Sequence, residues 1–239
     1  MNFLIGCEES QAVTIELRKL GINAFSCDLK RCSGGYPEWH LQMDIFEAIN
    51  GGELLLQNGE TVFIDKWMFT GLHPVCTKMT LSGNRHYAPG KLKHFERLDS
   101  VEWTINLWNY ACSVSDHVYM ENPLGAMNGD KRLPKPQIIQ PYYFGDEARK
   151  TTCLWLYNLP FLNHFNKTDL FNDKITHVGD GGSRKLVKSD RVFSNWAYEM
   201  GCLPISKRAE ARSKTFPGIA KAMATQWSEF ILNKQLETA

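Results

Sequence analysis

Cys76, within Thr70-Gly71-Leu72-His73-Pro74-Val75-Cys76-Thr77, and Glu121, within Met120-Glu121-Asn122-Pro123, are the residues of this chain whose types and setting most directly offer chemistry. Each stands just past an apolar run of strand character, and Pro74 stops the first run and exposes the residues beyond it. A thiolate is a strong nucleophile and a carboxyl group a proton donor, so the two held at neighbouring strand ends suit addition to an electrophilic ring. Lys78, Asn84, Arg85 and His86 come soon after Cys76, where positive charge would favour the thiolate. Against this stand the plainer roles of such residues: a lone cysteine is usually inert packing, and a glutamate before Asn-Pro can cap a turn.

For the pair to meet, strands must deliver them to one edge. Residues 3–7 form an apolar run, Glu8-Glu9-Ser10 an acidic turn, and Ala12, Val13, Leu17 and Leu20 recur at helical spacing up to Gly21. A second strand is predicted over 22–27, ending at Asp28, and a short extended piece over 39–43, ending at Asp44. Residues 45–55 read as a helix broken by Gly51-Gly52, and 61–72 as a run containing the next central strand. After a loop at 82–90, helical periodicity covers 95–111 and a strand covers 117–120. A long loop at 125–137, a strand at 152–157 and an amphipathic helix at 217–232 complete the pattern. Such alternation predicts an α/β fold with a parallel, doubly wound sheet. The stretch 160–211 is rich in Asn, Asp, Lys and Gly without clear periodicity, so it reads as a loop-rich insertion between a catalytic α/β domain (1–159) and a C-terminal helix (212–239) that returns to it.

In an open α/β sheet, ligands lie beyond the carboxyl ends of the strands, at the switch in strand order. Asp28 at the second strand end suits ribose hydroxyls, and Asp44 at the next suits an adenine amino group; singly, either could be a turn or helix-cap aspartate. The glycine pattern that cradles phosphate is absent after the first strand, and Glu8-Glu9 would repel a pyrophosphate. A nucleoside cofactor with a positive centre and no phosphate fits better, and S-adenosylmethionine meets both conditions. Acidic residues at a helix start also have an ordinary role beside the helix dipole. Cys7, Cys27, Cys32 and His40 match no zinc spacing, so no metal is expected.

Composition narrows the classes further. In 239 residues, Lys and Arg exceed Asp and Glu by 27 to 26, so any nucleic-acid contact must come from a local patch rather than a global field. Seven cysteines without disulfide-framework spacing, and no basic and apolar leader, point to free thiols in the cytoplasm. No apolar run nears the roughly 20 residues needed to cross a bilayer, so no membrane role is expected. Composition leaves the oligomeric state open.

Pro74-Val75-Cys76 and Glu121-Asn122-Pro123 resemble the Pro-Cys and Glu-Asn motifs of the DNA cytosine-5 methyltransferases. The chain as a whole resembles a compact family of that type from phages and prophages, through Ser26-Cys27-Asp28-Leu29, Ser82-Gly83-Asn84, residues 140–145, residues 150–156 and residues 216–224. The resemblance implies a Rossmann-like class I methyltransferase, with DNA containing a target cytosine as partner. Cys76 would add to C6 of a flipped cytosine, Glu121 would protonate N3, its pKa raised by burial, and C5 would take the methyl group. Arg149 or Lys150 would bind the ring O2. The cofactor would lie against Gly6, Glu8, Glu9, Ser10, Asp28, Leu29, Asp44, His73 and Pro74, and the substrate against Thr77, Asn84, Arg85, Asn122, Pro123 and Thr151. Residues 160–211 would serve target recognition, with Lys167, Lys174, Arg184, Lys185, Lys188 and Arg191 on phosphates or simply on a solvated loop. Pro74-Val75-Cys76-Thr77 and Glu-Asn-Pro depart from the family's usual text, and the recognition region is short. A free pyrimidine nucleotide, a modified donor group, or a catalytically silent DNA-binding or counter-defence protein are therefore alternatives.

Overall fold

The computed structural model describes residues 1–164, 183–185 and 192–238. Along the first half run β1 (Asn2–Gly6), α1 (Ala12–Lys19), β2 (Asn23–Cys27), β3 (His40–Leu41), α2 (Ile45–Ala48), β4 (Gly52–Leu55), β5 (Thr61–Ile64) and β6 (Trp67–Leu72). Next come α3 (Asn84–Tyr87), α4 (His94–Val114), β7 (His117–Pro123), β8 (Gln137–Ile139) and β9 (Thr152–Tyr157). The last described elements are β10 (Ser183–Lys185), β11 (Val192–Ser194), α5 (Asn195–Cys202), α6 (Ile205–Ser213) and α7 (Pro217–Thr238).

Among the described residues the main sheet has seven strands in the order β3-β2-β1-β6-β7-β9-β8. Neighbours from β3 to β7 pair in parallel, and β9 runs antiparallel to both β7 and β8. This is the doubly wound, mostly parallel α/β architecture expected from the sequence. Parallel strands covered on both faces read as continuous apolar runs, and alternation sends successive side chains to opposite layers. Leu4, Leu72, Val118, Met120 and Trp155 join Ile45, Ile105 and Trp108 on the α2 and α4 side. Phe3, Ile5, Phe69, Tyr119 and Leu154 join Val13, Leu17, Met223 and Trp227 on the α1 and α7 side. The Tyr119 and Trp227 ring centres lie 4.7 Å apart. Gly71 admits the Tyr119 ring against β6, since a Cβ there would overlap it.

Several elements differ from the sequence reading. The helix expected over 45–55 ends at Ala48, because Gly51 and Gly52 take positive φ and turn the chain into β4. β4 pairs antiparallel with β5 as a separate hairpin, closed around Asn58-Gly59, so only the second part of 61–72 is the central strand. β8 begins at Gln137, where the expected long loop ends, and was not anticipated as a strand. The insertion 160–211 is not all loop: β10 and β11 form an antiparallel pair, and α5 and part of α6 fall within it. Lys167, Lys174, Lys188 and Arg191 lie outside the described residues, as do the side chains of Arg184 and Lys185. No helix among the described residues is long and apolar enough to cross a membrane.

Candidate active site

The parallel register brings the carboxyl ends of the central strands level: Gly6 is opposite both Cys27 and Leu72, and Leu72 opposite Met120. Backbone bonds continue past the ends, with Glu8 N–H donating to Cys27 O at 3.0 Å and His73 N–H donating to Gly6 O at 2.9 Å. From β1 the chain winds outward through β2 and β3, then returns to begin β6 and β7 on the other side. The switch point therefore lies between β1 and β6, where an α/β sheet opens a crevice for ligands.

β7 does not stop at Met120 as the sequence suggests. Its parallel pairing with β6 ends there, but antiparallel pairing with β9 carries it to Pro123, with Glu121 opposite Leu154 and Asn122 opposite Cys153. Glu121 thus projects from a hydrogen-bonded strand, on the same side as Tyr119, beyond the end of the parallel sheet. Cys76 sits in the turn after β6, where its carbonyl accepts from Met79 N–H at 2.8 Å and Thr80 N–H at 3.0 Å. Asn122 is buried and donates from Nδ2 to Pro74 O at 3.1 Å, tying this turn to β7. Pro74 is also buried, so neither it nor Asn122 presents its side chain to solvent, whereas Thr77, Asn84 and Arg85 are exposed.

Electrostatics link the chemistry-bearing groups. Burial, then the Glu121 charge, push the Cys76 thiol above its ordinary pKa, and the Lys150 ammonium works the other way. Burial alone would raise Glu121, as the sequence reading anticipated. The neighbouring His73 and Lys150 together outweigh it, and the carboxyl is held below its ordinary value. Of the two expected base-contacting cations, Lys150 bears on both groups; its ammonium also donates to Arg212 O at 2.9 Å and lies 5.8 Å from the Phe216 ring centre. Arg149 is exposed, with its guanidinium 5.5 Å from the Tyr142 ring centre. Thr151 accepts from Gln140 Nε2 at 2.8 Å.

On the β1 side the acidic residues divide. Glu8 is buried and accepts from Val13 N–H at 2.6 Å, Thr14 N–H at 3.3 Å and the Thr14 hydroxyl at 2.7 Å. It caps α1, the role that the helix-dipole reading gave it, and its carboxylate is engaged within the protein. Asp28 and Asp44 also make local bonds, to Lys30 N–H at 2.9 Å and Phe46 N–H at 2.8 Å. Both nevertheless converge on the turn after β1: after burial, they are the charges that drive the Cys7 thiol up to about 12. Gly6 lets Ile45 close over that turn, where a Cβ would overlap the isoleucine. Glu9, Ser10 and Asp28 are partly exposed there and Leu29 is exposed. All seven cysteines are free, and no group of three or more His, Cys, Asp or Glu among the described residues is placed to hold a metal ion.

Arg97 of α4 was not singled out by sequence reasoning. It is 7% exposed and donates to Lys78 O at 2.7 Å, Asn84 Oδ1 at 2.7 Å and Thr80 O at 3.2 Å, gathering the segment after Cys76 onto α4. Its signal was a charge on the helix face otherwise occupied by Thr104, Ile105 and Trp108. Replacing Arg97 with alanine leaves these acceptors unpaired, and should cost at least about 2 kcal/mol in urea unfolding.

The comparisons with known proteins add a resemblance in shape. No family model matches the chain, and no curated protein does. Among solved structures it is similar to a provisional DNA modification methyltransferase encoded within an E. coli prophage, with a TM-score of 0.42 and 8% sequence identity. The similarity covers 65% of this chain and 46% of that one, so the chain spans about half the length of that protein.

Proposed function

We propose that the chain transfers a methyl group from S-adenosylmethionine to C5 of cytosine in DNA, through a covalent bond between Cys76 Sγ and ring C6. The observation that carries this reading is that Asn122, next to Glu121 on β7, ties the Cys76 turn to that strand through Pro74 O at 3.1 Å, so that Cys76, Glu121 and Lys150 bear on one another's charge beyond the end of the parallel sheet. The thiol and the carboxyl disfavour each other's charge, so the site holds one negative charge more easily than two. That is the requirement of the addition. With Glu121 protonated, the Cys76 thiolate is favoured; as sulfur bonds to C6, the Glu121 proton moves to N3 and the negative charge passes to the carboxylate. After the methyl group is on C5 the N3 proton returns to Glu121; water then takes the C5 proton as C5=C6 reforms and the C6–S bond breaks, releasing the Cys76 thiolate. The Lys150 ammonium favours the charge in either place and would hold the ring O2.

The cofactor would supply an electrophilic methyl group to C5. Asp28 and Asp44, both bearing on the turn after β1, are the groups that would hold its ribose and adenine, and the acidic turn suits a sulfonium better than a phosphate. A DNA substrate, rather than a free nucleotide, is supported by the surface after Cys76, where exposed Arg85, Lys91 and Lys93 lie among exposed Val75, Leu92 and Phe95. Mass spectrometry of nucleosides from the DNA of cells expressing the protein should reveal 5-methylcytosine. In vitro, label from the donor should enter DNA and not dCMP; unchanged nucleosides would remove the reading.

A further inference from the structure

His73 lies between β6 and the rest of the site, and four elements face it. Its Nε2 shares a 2.7 Å hydrogen bond with the Tyr119 hydroxyl, and its Nδ1 stands 3.8 Å from Glu121 Oε2. Thr215, just before α7, places its hydroxyl 3.5 Å from the same Nδ1. Glu8, from the turn after β1, is raised above its ordinary pKa by burial, and His73 is close enough to oppose that rise; Lys150, before β9, bears on Glu121. The His73 side chain is 9% exposed and that of Glu121 14%, so little water separates them.

We propose that His73 is a positioning residue for Glu121, held by Tyr119, and exchanges a proton with its carboxylate. The inference deepens the methyl-transfer reading and rests on it for its catalytic consequence. The need arises from the site itself: His73 and Lys150 keep Glu121 ionised, yet addition to the ring needs a proton there. At 3.8 Å the pair is a charge contact longer than a hydrogen bond, and such contacts in unliganded sites commonly shorten when substrate arrives. In the transfer, Nδ1–H of an imidazolium breaks and O–H of Glu121 forms, turning imidazolium and carboxylate into imidazole and carboxylic acid. Tyr119 accommodates both states of the ring, accepting from Nε2–H when the imidazole is charged and donating to Nε2 when it is neutral. Burial, then the charges of Glu8 and Glu121, keep the Tyr119 phenol protonated, so it remains able to donate.

The arrangement also explains the local sequence. Gly71 must lack a side chain for the Tyr119 ring to reach this position, and Tyr119 must be tyrosine for its hydroxyl to meet Nε2.

The test begins with infrared titration of the Glu121 carboxyl, its band assigned by difference from Glu121→Gln. In His73→Gln, which keeps a polar side chain but cannot be cationic, the midpoint should rise, since burial is then opposed by Lys150 without an imidazolium. Tyr119→Phe keeps the ring and should shift the same midpoint through His73. A Glu121 midpoint unmoved in both variants overturns the pairing, whatever the protein's activity. If methyl transfer is present, His73→Gln should lower kcat by about 10–100-fold with little change in KM for DNA, and alter the acid limb of the kcat profile. An unaltered profile overturns the proton exchange. A shifted midpoint in a protein that never methylates DNA would retain the pairing and remove the methyl-transfer reading.

Discussion

Replacing Cys76 with alanine is expected to abolish methyl transfer, lowering donor label incorporation into DNA by about 10⁴-fold or more, as loss of a covalent nucleophile does elsewhere. The covalent complex with DNA carrying 5-fluorocytosine should disappear with it, because no sulfur remains to bond C6. Circular dichroism should be unaltered, since Cys76 is only partly buried in a turn whose backbone bonds do not involve its side chain. In the unaltered protein the rate of Cys76 alkylation by iodoacetamide should climb with pH. Burial and the Glu121 charge hold the thiol above its ordinary pKa, so a small thiolate fraction at neutral pH grows as protons are withdrawn. A Cys76→Ala protein that still places 5-methylcytosine in DNA would exclude the covalent mechanism.

Glu121→Gln should act in opposite directions on two measurements. Methyl transfer should fall by about 10²–10⁴-fold, the range for a lost general acid. Alkylation of Cys76 by iodoacetamide at mildly alkaline pH should become faster, because the carboxylate that opposes the thiolate is gone. A purely structural defect would not separate the two. The same variant has a signature in stability. The folded Glu121 pKa lies below its ordinary value, so its contribution is present above the unfolded pKa and is lost as pH falls through the folded one. Glu121→Gln should therefore flatten the acid side of the stability profile, as read by thermal melting across pH. If alkylation is slowed instead, the thiol and the carboxylate do not oppose each other's charge.

The sequence made the architecture legible where a single physical signal dominated. β1, α1, β2, β9 and the core of α4 follow from apolar runs bounded by turn residues, and the C-terminal helix from its periodicity. The hairpin of β4 and β5 was hidden because Leu54, Leu55 and Leu56 read equally as helix, although Asn58-Gly59 was a usable turn signal. Glu121 was found but placed past its strand, because antiparallel support from β9, distant in sequence, cannot be read locally. The ionisation of Glu121 escaped for a related reason: burial was foreseeable, but the convergence of His73 and Lys150 upon it depends on three separate strand ends. Glu8 shows the converse, since an acidic residue ahead of a helix already had a capping role available.

The change of partner along β7 gives the proposed nucleophile and acid unequal foundations. The carboxyl rides on a strand gripped by β9 on one side, while the thiol belongs to a turn closed by its own backbone bonds and tied to its neighbours by Asn122 and, in its continuation, by Arg97 from α4. In the proposed transfer, registration of the ring would therefore rest on the strand that carries the acid, and the aim of the sulfur on the few contacts that hold its turn.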